Sequence, residues 1–390
     1  MSKGYENVVI AAPVTVPYSR FSDHSASWWI GRTLAELLHK SGLPKQSIDG
    51  LALSSFSLAP DSSIALTQHF GISPRWLEQL PFGGASGVMA LRRATRAVQC
   101  GDADVVACIG GDTAQADSFK NLAANFSTFS IDASYPYGAA GPNGPFSLIT
   151  ARYMHEYGAT REDFGRICVA QRHNANHYPH ALLGGKTLSM DEYLAARAIA
   201  GPLHLFDCVM PCAGGEGFLV MTEERAATLG LPAARILSSG ELHNAWPDDP
   251  VQLRGGWSQY ADALYSDAGI GPDDIDMLHT YDDYPVICML QMEGLGFCAQ
   301  GEAADLVRST PLTFDGKGLP HNTSGGQLSV GQAGAAAGYM GVVEALRQIT
   351  GTALGQQVEN ASRAMVSGYG MINYDRGLCS AACILEGVRP

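Results

Sequence analysis

Residues 80–101 read LPFGGASGVMALRRATRAVQCG and combine a glycine-rich turn with an amphipathic segment. Apolar residues recur at helical spacing between Val88 and Val98, with arginines on the opposite side, which predicts a helix that stops at Gly101. Four small residues, 83–86, precede that helix. Such a turn directs backbone N–H groups at whatever lies in front of it. The stretch therefore indicates either a closely packed helix start or a ligand-binding turn.

Composition narrows the class of protein. The chain has 390 residues, is 46% hydrophobic and 16% charged, and carries a formal net charge of −13. That charge argues against nucleic acid or an anionic membrane as the main partner. No apolar run reaches transmembrane length, and residues 1–10 lack a signal-peptide pattern. Nine scattered cysteines without a four-ligand zinc pattern are typical of reduced thiols, so we expect a cytoplasmic protein without a bound metal.

Strand and helix patterns alternate along the chain, which predicts an α/β fold. Residues 42–51 and 269–278 share the pattern G-[LI]-x4-I-D-x-L, each between a predicted helix and a predicted strand. A glycine turn also recurs at 324–326, ahead of a helix predicted to end at Thr350. These repeats predict two similar halves, 1–233 and 234–390. The alternation weakens at about 114–201, where we expect an insertion.

The turn at 82–87, FGGASG, resembles the nucleophile turn of the thiolase superfamily, in the branch of sterol-carrier-protein thiolases called lipid-transfer proteins. There the turn reads roughly E-x-x-C-A-S-G, and the Cys is acylated. Ala85, Ser86 and Gly87 match, whereas Gly84 stands where the Cys should be. The resemblance implies a five-layered thiolase fold with duplicated βαβαβαββ halves stacked αβαβα. It also implies that the insertion is a loop domain covering coenzyme A.

Three stretches of the second half are similar to further thiolase motifs. Residues 278–285, LHTYDDYP, resemble E-x-H-D-x-F, with Tyr281 at the His and Asp282 at the Asp. Residues 320–333, PHNTSGGQLSVGQA, resemble N-x-x-G-G-x-x-x-x-G-H-P, with Gln332 replacing the His. Residues 365–371, MVSGYGM, lack the second Cys. Claisen chemistry needs a nucleophile and a base to activate it, so ordinary thiolysis is not expected.

The Tyr-Asp pair and the run N-T-x-G-G-Q-L-S are similar to the steroid side-chain aldolases, thiolase relatives that also lack the Cys. Those enzymes split a β-hydroxyacyl-CoA by a retro-aldol reaction. The resemblance implies catalytic roles for Tyr281 and Asp282, with Tyr281 exchanging a proton through a lowered pKa or a water. Gln332, His321 and Tyr369 are further candidates. Residues expected to hold the thioester, partly through backbone N–H groups, are Gly84, Ser86, Asn322, Gly325 and Gly326.

Two other functions remain open at this point: a non-catalytic thiolase-like subunit, and an acyltransferase with an atypical nucleophile such as Ser86. The resemblance implies a coenzyme A thioester as substrate and no covalently bound cofactor. It implies a homodimer formed through the edge of the first half's sheet near residues 104–109. It also implies a small partner protein that carries a zinc ribbon and an OB fold.

Overall fold

The structure is a computed structural model that describes residues 4–58, 62–117, 120, 135–139 and 141–388. Residues 118–119, 121–134 and 140 of the predicted insertion lie outside the described residues.

The strands are β1 (Val8–Ser19), β2 (Gly50–Ser54), β3 (Trp76–Gln79), β4 (Val105–Asp112), β5 (Ala198–Ala200), β6 (Leu203–His204), β7 (Ala213–Thr222), β8 (Ala233–His243), β9 (Met277–His279), β10 (Arg363–Asn373) and β11 (Arg376–Gly387). The helices are α1 (Ala26–Ser41), α2 (Ser63–Phe70), α3 (Ser86–Cys100), α4 (Asn143–Tyr157), α5 (Arg161–Ala175), α6 (Met190–Leu194), α7 (Glu223–Thr228), α8 (Ala261–Ala268), α9 (Pro285–Gly294), α10 (Ala303–Ser309), α11 (Gly326–Val330) and α12 (Ala337–Ile349).

One continuous sheet carries the strand order β3-β2-β4-β7-β1-β8-β11-β10-β9. Strands β1 and β8 join its two halves through residues 9–11 and 233–235. The prediction that the first half's sheet ends near residues 104–109 is wrong, because β4 pairs with β2 on one side and with β7 on the other. The edge strand of that half is β3.

The sheet repeats the same order in each half: β2-β4-β7-β1 in the first and β9-β10-β11-β8 in the second. The sequence repeat lies at equivalent places in this scheme. Asp49, ahead of β2, accepts hydrogen bonds from the N–H groups of Asp104 and Val105 at the start of β4. Asp276, ahead of β9, accepts from the N–H groups of Ser362 and Arg363 at the start of β10. The shared Asp thus fixes the neighbouring parallel strand in both halves. The exact bounds 1–233 and 234–390 stay a prediction.

Helices α3 and α12 pack against each other and contact strands of both halves, so they form a layer inside the folded sheet. Helix α1 covers the other face of the first half, and α8 that of the second. The central pair is close: a Cβ on Gly87 would lie 2.2 Å from the Gly338 carbonyl oxygen. Each central helix follows a 3-10 turn, Gly83–Ala85 or Gly334–Ala336. The predicted recurrence at 324–326 was therefore misplaced, because that turn begins the short helix α11 instead.

None of the helices in the described part of the chain is both long and apolar enough to cross a membrane. All nine cysteines are free thiols. Within the described residues, no three His, Cys, Asp or Glu side chains converge to form a possible metal site.

Candidate active site

A cavity of about 690 Å³ opens where the two halves meet. Its wall combines the turn ahead of α3 and the end of β4 with three segments of the second half. The polar and turn residues that matter most are Gly84, Asp112, Tyr281, Asp283, Gln332 and Tyr369. Four of the residues singled out from the sequence therefore reach one cavity: Gly84, Tyr281, Gln332 and Tyr369.

The Tyr281 ring fills the space that a side chain at position 84 would need. A Cβ built on Gly84 would lie 2.2 Å from Tyr281 Cε2 and 2.3 Å from Cδ2 and Cζ. Real Cβ atoms essentially never come closer than 3.0 Å to heavy atoms of residues that are not their neighbours in the chain. Gly84 and Tyr281 are thus sterically dependent on each other, and position 84 offers no nucleophile.

Two buried amide side chains hold the segment that carries Tyr281. The Tyr281 N–H donates to Gln291 Oε1 (3.0 Å), and Gln291 Nε2 donates to the Tyr281 carbonyl (2.7 Å). Asn322 holds Thr280 in the same way, with contacts of 3.0 and 3.1 Å. Both polar ends of the Asn322 side chain are therefore used on the backbone of Thr280. Asn322, predicted as a ligand residue, positions the neighbour of Tyr281.

Tyr281, Asp283 and Gln332 form a polar cluster on the cavity wall. Gln332 Nε2 donates to Asp283 Oδ1 at 2.9 Å and lies 3.4 Å from the Tyr281 hydroxyl. Gln332 thus brings the hydroxyl and the Asp283 carboxylate side by side, and each affects the pKa of the other. Burial raises the pKa of Asp283 to about 7 and raises the pKa of Tyr281 well above its usual value. The route through a lowered Tyr281 pKa is therefore wrong, and the phenol stays protonated at neutral pH.

Asp282, which the sequence predicted to be catalytic, binds the start of helix α11. Its carboxylate accepts from the backbone N–H groups of Gln327 (3.1 Å) and Leu328 (3.3 Å). Burial raises the pKa of Asp282 to about 6. Tyr281 and Asp283 line the cavity, whereas Asp282 does not. The motif match carried no signal for Asp283.

The two glycines at the start of α11 allow this contact. Gly325 and Gly326 have φ values of 104° and 59°, in the left-handed region that glycine favours. A Cβ on Gly326 would lie 2.1 Å from Asp282 Oδ2, and one on Gly325 would lie 2.4 Å from the Ala175 Cβ. Close packing therefore explains why both positions hold glycine. Neither glycine is among the residues that line the large cavity.

The turn at 83–86 has fewer free donors than its sequence indicates. The Ala85 N–H donates to the Phe82 carbonyl (3.1 Å), and the Ser86 N–H donates to the Gly83 carbonyl. The Ser86 hydroxyl accepts from the Phe82 N–H and donates to the Leu80 carbonyl, both at 3.2 Å. Ser86 therefore braces the turn from inside the protein.

The two remaining candidates hold their polar atoms away from the Tyr281 cluster. His321 is fully buried with Nε2 2.7 Å from the Thr280 hydroxyl, and burial lowers its pKa to about 3. The imidazole is thus neutral across the physiological range. The Tyr369 ring lines the cavity, but its hydroxyl accepts the Gly377 N–H at 2.6 Å. Burial also raises the pKa of Tyr369.

Known proteins with similar sequences point to one superfamily. Residues 243–379 match a family model described as Thiolase C-terminal domain-like. A steroid side-chain-cleaving aldolase of Thermomonospora curvata is 30% identical over 346 residues, which cover 85% of this chain and 87% of the relative. A 17-hydroxy-3-oxo-4-pregnene-20-carboxyl-CoA lyase of Mycobacterium tuberculosis is 30% identical over 358 residues, 86% and 90% of the two chains.

A solved structure gives the same picture. The chain superimposes on an Ltp2-ChsH2(DUF35) aldolase with a TM-score of 0.82 and 26% sequence identity. The match covers 98% of both chains. The likeness therefore extends over the whole fold and includes both halves of the cavity wall.

Proposed function

Because this chain belongs to the thiolase superfamily, has the thiolase fold and is related to the steroid side-chain-cleaving aldolases, we propose that it cleaves a β-hydroxyacyl-CoA by a retro-aldol reaction. The observation that carries the proposal concerns position 84, where the thiolase motif has its nucleophilic Cys. This chain has Gly84 there, and the ring of Tyr281 fills the space that a side chain at this position would occupy.

Acyl transfer through an enzyme-bound thioester has little support at this site. A covalent mechanism needs a nucleophile within reach of an activating base. Gly84 has no side chain, and the Ser86 hydroxyl is engaged with the backbone of its own turn. Gln332, at the position of the thiolase His, has no acid or base function at neutral pH.

Retro-aldol cleavage, unlike covalent acyl transfer, needs no nucleophile from the protein. A base removes the proton of the β-hydroxyl, the bond between the α and β carbons breaks, and a donor stabilises the enolate of the departing thioester. The Tyr281 hydroxyl remains protonated because its pKa is raised, so it suits the role of donor to the substrate. Tyr281 and the carboxylates beside it are the groups we propose for this chemistry.

The substrate we propose is a coenzyme A thioester with a bulky apolar acyl group, and no covalently bound cofactor. The M. tuberculosis relative is named as a lyase of such a carboxyl-CoA. The cavity of about 690 Å³ includes aromatic wall residues, namely Phe21, Phe56 and Phe146. Pockets of this size bury drug-sized apolar ligands.

Assembly and location are also proposals. The name Ltp2-ChsH2(DUF35) aldolase joins an aldolase to a DUF35 component, which supports a small zinc-ribbon/OB-fold partner for this chain. We propose a homodimer through the β3 edge (Trp76–Gln79), which is the free edge of the first half. We also propose cytoplasmic function, two halves at 1–233 and 234–390, and a coenzyme A-covering insertion.

The test combines an assay with mass spectrometry. The chain, alone and co-expressed with a DUF35-type partner, is incubated with a panel of β-hydroxyacyl-CoAs, and the carbonyl product and the shortened acyl-CoA are quantified. We expect both products in equal amounts and no added acyl group in the intact mass of the protein. A stable acyl adduct mapped to Ser86 would support the acyltransferase instead. Tight partner binding with no cleavage of any substrate would support the non-catalytic subunit.

A further inference from the structure

Gln332 is held firmly in the site although it cannot transfer a proton. Its amide has no acid or base function at neutral pH, yet its backbone is fixed on both sides. The Gln332 N–H donates to the Met210 carbonyl, and the Gln332 carbonyl accepts from Cys212, both at 2.9 Å. From this anchored backbone, Nε2 reaches Asp283 Oδ1 at 2.9 Å. Gln332 is therefore built to hold a carboxylate.

Among the residues that the structure describes, three carboxylates lie in or beside the cavity, and they differ in the donors that already bind them. Asp112 accepts from Ser55 Oγ (2.7 Å), the Phe56 N–H (3.0 Å) and the Ala335 N–H (2.6 Å), so it ties three segments together. Asp282 is occupied by the start of α11.

Among the described residues, Asp283 accepts from Gln332 Nε2, and the Tyr281 side chain lies beside it. A carboxylate offers about four lone-pair sites, so Asp283 retains acceptor capacity toward the cavity that it lines. It is thus the carboxylate with room for a substrate hydroxyl.

We infer that Asp283 is the base that takes the β-hydroxyl proton and that Gln332 is the residue that positions it. This inference rests on the proposed retro-aldol function. Asp283 removes the proton, the oxygen electrons form the carbonyl, and the pair from the broken carbon–carbon bond passes into the thioester enolate. The protonated Asp283 returns the proton to the enolate carbon. The Tyr281 hydroxyl, which lies beside Asp283, stays neutral throughout, so no further reactant is needed.

The electrostatics of the cavity agree with this role. Burial raises the pKa of Asp283 to about 7, and the neighbouring Asp282 also raises it, while Tyr281 and Gln332 lower it. Within the described part of the chain, the other charged or titratable groups on the cavity wall are Arg20, Lys120, Asp112, Cys212 and Tyr369. A general base works best with a pKa near the operating pH.

The test compares wild type with Asp283→Asn on the panel of β-hydroxyacyl-CoAs, using the full chain co-expressed with the DUF35-type partner. Loss of a positioned base lowers kcat by about a hundred- to ten-thousand-fold, and we expect KM to change little. In wild type, kcat/KM should rise about tenfold from pH 6 to pH 8, because the ionised fraction of a group with a pKa near 7 changes by that factor.

The matched control is Asp207→Asn. Asp207 is a buried carboxylate that accepts a hydrogen bond from the buried Tyr193 hydroxyl, and it is not among the residues lining the cavity. We expect this variant to keep the wild-type rate and pH profile. A second variant covers the case in which Asp283→Asn does not fold. Gln332→Leu keeps the base and removes a bond that lowers its pKa, so the acid limb should move to higher pH.

The outcomes distinguish the assignment of Asp283 as the base from the proposed retro-aldol function. Cleavage by wild type with an undiminished rate in Asp283→Asn overturns the assignment of Asp283 and leaves the retro-aldol function standing. An acid limb that stays in place in Gln332→Leu also counts against the assignment. A wild type that cleaves no member of the panel overturns the function and the assignment together.

Discussion

Replacing Gly84 by alanine puts a methyl group where the Tyr281 ring lies. The new Cβ would be 2.2–2.3 Å from three ring atoms, whereas ordinary contact begins at 3.4 Å, so the ring must move by about 1 Å. Gln291 and Asn322 hold the backbone on which the ring is carried, so the movement occurs in the side chain. The Tyr281 hydroxyl then leaves its position beside Asp283.

Two magnitudes follow from this displacement. Misplacing a reacting group by about 1 Å costs about a hundredfold in rate. Forcing a methylene-sized group into a packed interior costs about 1–3 kcal/mol of stability. We therefore expect Gly84→Ala to fold, to unfold at a lower temperature and to lose about two orders of magnitude in kcat. The assays are thermal unfolding and product formation from a β-hydroxyacyl-CoA.

Gly240→Ala is the matched control for the steric effect alone. Its Cβ would lie 2.5 Å from the Tyr260 ring, which is not among the residues lining the cavity. A similar loss of stability without a loss of rate is expected. In Tyr281→Phe, which lacks the hydroxyl, adding Gly84→Ala should cost little further rate, because neighbouring changes are not additive. A Gly84→Ala enzyme with the wild-type kcat and unfolding temperature would refute the steric argument.

Three further predictions concern stability and assembly. Asp282→Asn weakens the start of α11 and should reduce the free energy of unfolding by about 0.5–2 kcal/mol, the range for a lost helix cap; an unchanged unfolding temperature would contradict the capping role. Glu216 is buried with its pKa raised to about 7 from 4.5, so the folded state binds its proton more tightly, and its contribution to stability is lost as pH rises from 4.5 through 7. The free energy of unfolding of Glu216→Gln should therefore rise relative to that of wild type by about 3 kcal/mol between pH 4.5 and pH 8. A difference in the free energy of chemical unfolding that does not change with pH would exclude this. Wild type should sediment as a dimer and Trp76→Asp, on the β3 edge, as a monomer; a monomeric wild type would argue against the β3 interface.

Local pattern was sufficient for much of the fold. The apolar spacing between Val88 and Val98 predicted α3, and Gly101 ends it in the left-handed conformation, with φ 78°. The pattern shared by 42–51 and 269–278 predicted a duplication, and both Asp residues of the pattern bind the start of a neighbouring strand. These features depend on residues close together in the chain. The edge of the sheet depends on strand order, which is not local, and it was assigned to β4 instead of β3.

The sequence predicted which segments form the site, but it predicted less well which side chains face the cavity. Sequence motifs identified Gly84, Tyr281 and Gln332, which line one cavity. They identified Asp282 and not Asp283, because a motif aligns residues by position and does not say which way each side chain points. The same limit applies to Ser86, whose position matches a motif but whose hydroxyl bonds inside its own turn. Hydrogen-bond partners 40 or more residues apart, such as Thr280 and Asn322, depend on the folded chain.

The Gly84–Tyr281 pair also explains why one change at position 84 should not restore a nucleophile. A Cys at 84 would need the volume that the Tyr281 ring fills. Removing the ring would free that volume but would also remove the hydroxyl that contacts Asp283. A base for the thiol would still be missing, because Gln332 has no acid or base function at neutral pH. A side chain at position 84 and the Tyr281 ring beside Asp283 thus compete for the same space, and in this chain the ring occupies it.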